Sequence, residues 1–158
     1  MESFDHREAH RGAPLHEQSP AQLGDHEVLV DAALVPLIEA LHRRGITTIY
    51  SCQDTEPPQG RWRDDPHKAR FYLCFPDVEE LRRLIPLLER SRELATSIRP
   101  SLGAPRWEYL LNPRGGNPAI DVDPGQLRLQ VSVFIPVEQI DLIVQVLDAD
   151  SMSNRSQD

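Results

Sequence analysis

One short pattern occurs twice in this chain and constrains its fold more than any other feature. Phe71-Tyr72-Leu73-Cys74-Phe75-Pro76 leads into Val78, Leu81, Ile85 and Leu88, and Val131-Ser132-Val133-Phe134-Ile135-Pro136 leads into Val137, Ile140, Val144 and Leu147. Each copy reads as a strand of aromatic, aliphatic and β-branched residues that ends at a proline and turns into an amphipathic helix. Proline is harmless there because the first helical N–H has no intrahelical partner, and the acidic residues that follow favour the positive end of the helix dipole. The later strand carries the clearest alternation. Leu127, Leu129, Val131, Val133 and Ile135 interleave with Arg128, Gln130, Ser132 and Phe134, so one face is buried and the other is mixed. Pro86 is expected to kink the helix of the first copy.

A helix precedes the repeat. Val30, Ala33, Leu34, Leu37, Ile38 and Leu41 form one apolar stripe. Asp31 suits the N-cap, Pro36 falls just beyond the first turn, Arg43 and Arg44 suit the last turn, and Gly45 suits the left-handed residue after it. Ile46 to Cys52 then reads as a strand, and Gln53 to Lys68 as a polar loop with Pro57, Pro58, Gly60 and Pro66. Loops of that length in compact domains are often functional. Arg106 to Leu111 reads as a further strand and Asn112 to Gly125 as a Pro/Gly-rich connection. The expected order is α-β-β-α-β-β-α. It suits an α+β fold, a four-stranded antiparallel sheet with helices on one face, ferredoxin-like or permuted.

Residues 1–24 and 148–158 lack a periodic apolar face and are expected to be disordered tails, which leaves 25–147 as one domain. The 14 prolines and the modest hydrophobic fraction of 39% follow from such ends. A formal charge of −8 argues against a nucleic-acid partner held by phosphate neutralisation. No run approaches the roughly 18–20 apolar residues of a membrane span, and the N-terminus shows no apolar signal core. With two cysteines, Cys52 and Cys74, there is neither a disulfide framework nor a four-ligand zinc set. A reduced, cytoplasmic setting is expected.

Candidate chemistry gathers where the first strand ends and the long loop begins, a position at which functional side chains often sit on a rigid frame. Ser51, Cys52, Gln53 and Asp54 lie there, with Arg61 and His67 in the loop and Tyr72 on the neighbouring strand. A nucleophilic Cys52 needs a base or a cation to lower its thiol pKa, and His67, Arg61 and Arg63 are the groups at hand. A structural, buried cysteine is the simpler reading, and no catalytic residue is assigned. Cys52, Cys74 and His67 together make an incomplete zinc set, so no metal is expected. His6, His10, His16 and His26 lie in or beside the first tail, and the i, i+4 spacing of His6 and His10 is read as composition and not as a metal grip. Gly115-Gly116-Asn117 reads as a turn, not a phosphate cradle. Trp107 and Tyr109 share a strand face and are read as core. Arg70, Tyr72, Cys74, Gln130, Ser132 and Phe134 share the sheet face away from the helices, an aromatic and polar surface suited to a planar ligand, a peptide or a second copy of the chain.

The run Val30-Asp31-Ala32-Ala33-Leu34-Val35-Pro36-Leu37-Ile38-Glu39-Ala40-Leu41, followed by Gly45-Ile46-Thr47-Thr48-Ile49-Tyr50-Ser51-Cys52, resembles the start of the wybutosine-synthesis methyltransferase family. That family has an opening helix and a strand end like Thr-Thr-Ser-Ser-Cys-Ser-Gly-Arg, and methylates a modified guanosine of transfer RNA with S-adenosylmethionine. Ser51 and Cys52 match the motif by position. Gln53-Asp54-Thr55 departs from it, and the nearest Gly-Arg pair, Gly60-Arg61, falls within the loop. The resemblance implies an S-adenosylmethionine pocket lined by Ser51 and Cys52. The same helix-Gly-strand-Ser-Cys pattern is similar to uncharacterised actinobacterial and phage proteins, which implies no activity.

The sequence thus leads to a non-catalytic, cytoplasmic module that binds a small ligand or a protein through the Ser51–Lys68 strand end and loop. An S-adenosylmethionine-dependent transferase acting on RNA or a small molecule is the alternative. A structural homodimer joined through the open sheet face, with no ligand, is the third reading.

Overall fold

The computed structural model describes residues 16–55, 70–99, 106–114 and 128–153. The order is β1 (Gln18–Leu23), β2 (His26–Asp31), a 3-10 turn (Ala32–Leu34), α1 (Val35–Arg43), β3 (Tyr50–Thr55), β4 (Arg70–Phe75), α2 (Val78–Leu88), α3 (Arg92–Ile98), β5 (Glu108–Arg114), β6 (Arg128–Pro136), a second 3-10 turn (Val137–Gln139) and α4 (Ile140–Ser153). The fold is α+β, as expected. Four strands form one sheet in the order β3-β4-β6-β5, with every neighbouring pair antiparallel, and β1 and β2 form a separate hairpin.

The repeat explains the sheet order. β4 and β6, one from each copy, pair at the centre with Phe71 opposite Ile135, Leu73 opposite Val133 and Phe75 opposite Val131. The two copies therefore meet about a local twofold axis, and β3 and β5 flank them on the outside. Those six central side chains form the core with Leu37, Ile38 and Leu41 of α1, Leu81, Leu84 and Leu88 of α2, Leu94 and Ile98 of α3, and Ile143 and Leu147 of α4. All four helices lie on this face of the sheet.

Local chemistry sets the element ends. The Asp77 side chain caps α2 by accepting from the N–H groups of Glu79 and Glu80, and Pro86 is carried inside that helix. The Ser91 hydroxyl caps α3 by accepting from the Leu94 N–H, and this short helix lies in a stretch to which the sequence pattern assigns no element. Gly45 closes α1 at φ 68°, and the N–H of Ile46 reaches back to the carbonyl of Leu41. The connection to β3 is pinned by Glu80, which accepts from the Thr47 N–H at 2.8 Å and pairs with Arg83 at 2.6 Å. Ile46, read as a strand residue, instead enters the core on this connection, and the strand begins at Tyr50.

Both tails need correction. The expected tail 1–24 holds β1, because Gly24 at φ 65° makes a two-residue turn with Asp25 that folds Gln18–Leu23 back on His26–Asp31. Ala21 is wholly buried in the core, and the Gln22 N–H donates to Glu39 of α1 at 2.8 Å. The expected tail 148–158 begins inside α4, which runs to Ser153. There Asp148 pairs with Arg43 at 2.7 Å, and Arg44 donates to the Leu147 carbonyl. Residues 1–15 and 154–158 lie outside the described residues.

Candidate functional site

The sheet face away from the helices is built in rows across the strands. Cys52 pairs with Tyr72, Tyr72 with Phe134 and Phe134 with Glu108, so this row crosses all four strands. Directly paired residues share a face. The Tyr72 and Phe134 rings stand 5.8 Å apart at 40°. The face is only partly open. Arg70 is wholly buried and Cys74 nearly so, while Tyr72, Ser132 and Phe134 are half-buried.

At the β3 end of that row the N-terminal hairpin closes in. The 3-10 turn and β2 both contact β3, and the Ala32 N–H bonds back to the Glu17 carbonyl, which fixes the base of the hairpin. Asp31 stands at the N-cap position of the 3-10 turn, yet its side chain makes no cap. Its Oδ2 instead accepts the Gln53 N–H at 2.8 Å, and the Gln53 Oε1 accepts the Ala33 N–H at 3.2 Å. Two reciprocal bonds thus lock β3 to the hairpin at Gln53. The expected capping role of Asp31 is replaced by this cross-link, because the chain enters the helix through a 3-10 turn and the carboxylate faces β3. Cys52 donates its thiol hydrogen to the Gln53 carbonyl at 3.1 Å.

The result is a cluster of three chemically distinct side chains. His16, Asp31 and Cys52 bring a ring nitrogen, a carboxylate oxygen and a thiol sulfur all within 4.8 Å of one another. Asp31 is 7% and Cys52 3% exposed, while His16 is half-buried. No known protein family, curated protein or solved structure matches this chain.

Of the residues expected to form the site, Cys52, Gln53 and Tyr72 come together. Ser51 does not, because it pairs with Leu73, whose side chain lies in the core, and the pleat turns Ser51 to the opposite face from Cys52. Asp54 lies in β3, and its side chain falls outside the described residues, as do Arg61, Arg63 and His67. Cys52 and Cys74 are both buried, share the non-core face and form no disulfide. Gly115-Gly116-Asn117, His6 and His10 also lie outside the described residues. Trp107 is core, as read, with its indole N–H bonded to Gln139 and Gln139 to Ser97, whereas Tyr109 on the same face is 36% exposed.

Two members of the cluster carry no local signal of such a role, since the sequence pattern puts His16 in a tail and Asp31 at a helix cap. The signal that brings both in is Leu23-Gly24-Asp25-His26, a two-residue hairpin turn. It predicts that the segment before it folds back and carries His16 toward Asp31.

Proposed function

We propose that the protein is a non-catalytic ligand-binding module whose site lies where the hairpin base meets the end of β3. The observation that carries this reading is the convergence of His16, Asp31 and Cys52 from three separate stretches of chain onto one partly buried point. A buried carboxylate is costly unless it is paired, and among the described residues Asp31 accepts one backbone N–H, that of Gln53. Placed on the face that packs no helix, such a group is better explained by a ligand than by packing. The Tyr72–Phe134 pair adds an aromatic wall on the same row as Cys52.

A nucleophilic cysteine relay has less support. It uses a carboxylate to orient the imidazole that deprotonates the thiol. Here the Asp31 carboxylate is turned to the Gln53 backbone, whose N–H it accepts.

The test is a thermal-shift screen of the full chain against nucleotides, S-adenosylmethionine, sugar phosphates and divalent metals, repeated on His16→Ala. A ligand specific to the folded state stabilises it by about 2.7 kcal/mol at a hundredfold excess over its dissociation constant. A hit is expected in the wild type and should be lost in His16→Ala, whose own melting temperature should hardly change. No hit, or a hit that His16→Ala retains, would remove this site.

A further inference from the structure

We propose that His16, Asp31 and Cys52 bind one divalent transition-metal ion of the zinc class as its three protein ligands among the described residues. The proposal rests on the ligand-binding reading above and names the ligand.

The donor set selects the ion. An imidazole nitrogen, a carboxylate oxygen and a thiolate sulfur suit borderline-soft zinc or cobalt, whereas magnesium and calcium require oxygen shells. Geometry agrees. Ligands at about 2.0–2.3 Å around a tetrahedral zinc stand about 3.3–3.8 Å from one another. Donor atoms that already lie within 4.8 Å reach that spacing through small side-chain rotations.

The surroundings are those of a metal site as well. Ligands to metals are oriented by hydrogen bonds behind them. The Gln53 N–H holds Oδ2 of Asp31. The Gln53 side chain, bonded to the Ala33 N–H, ties the strand that carries Cys52 to the turn that follows Asp31. Burial of Asp31 and Cys52 would shield the ion. On binding, the Cys52 sulfur gives up its proton to solvent and replaces its bond to the Gln53 carbonyl with one to the metal.

Cobalt(II) titration of the chelator-treated full chain tests this. One equivalent should produce a thiolate-to-cobalt charge-transfer band with tetrahedral visible bands, and zinc should displace both while magnesium should not. Cys52→Ser should abolish the charge-transfer band, and Cys74→Ser should keep it. His16→Ala and Asp31→Asn should each weaken binding by about tenfold or more, since even partners behind a ligand are worth about 10–100-fold. Circular dichroism melting shows which variants are folded, and His16→Ala, half-buried near the start of the hairpin, carries the test should Asp31→Asn unfold. A band lost in Cys74→Ser and kept in Cys52→Ser overturns the site. No cobalt or zinc binding in the wild type overturns the metal. In that event a metabolite shift that is lost in His16→Ala leaves the ligand-binding reading standing, and no shift from any compound ends both.

Discussion

The phenol of Tyr109 is held against ionisation, first by burial and then by the negative charge of Glu89, which together push it up to about 12 from its ordinary 10. The unfolded chain therefore releases this proton first. The contribution to stability is fully present below about pH 10 and is lost as the pH rises toward about 12. Absorbance titration should show one of the three tyrosines ionising near pH 12, a step that Tyr109→Phe removes. If all three ionise near 10, Glu89 and burial exert no hold on it. At this scale the sequence was readable where one residue alone carries the signal. Cys52, Gln53 and Tyr72 stand out by their place at a strand end or on a strand face. His16 and Asp31 do not, because their role exists only once the hairpin brings distant residues together.

Among the elements, α1 shows what local chemistry can specify. Its apolar stripe and Gly45 are legible in the sequence, and the left-handed turn is there at φ 68°. An added Cβ at Gly45 would meet the Arg83 side chain at 3.7 Å, an ordinary contact, so the backbone alone sets the penalty. Gly45→Ala should destabilise the fold by about 1–2 kcal/mol, the left-handed cost of a residue with a Cβ. Urea unfolding measures it, and an unchanged midpoint would mean that the turn relaxes freely. β1 was less legible for a physical reason. Pro20 and a single buried residue, Ala21, give Gln18–Leu23 neither strand composition nor a clear alternation. A strand with a neighbour on one side only tolerates both, and the turn after it supplies the instruction. α3 is hard to read for a similar reason, since its seven residues bury only Leu94, Ser97 and Ile98 and give no long apolar stripe.

Across the whole molecule, the repeat dictated the four-stranded sheet and the side on which the helices lie. What it could not convey was the hairpin added at one edge, or the route by which α1 and α4 join through Arg43, Arg44 and Asp148. The seam between β4 and β6 has one further consequence. Because it sets one copy of the pattern against the other, each half of the molecule already presents the surface that its twin in a second molecule would need. Exchange of the β5-β6-α4 half between two chains would rebuild every seam contact, an entwined dimer made without any new interface. Refolding at rising concentration should yield a growing fraction of double mass that separates only on unfolding. A purely monomeric product at every concentration would show that the link between the halves forbids the exchange.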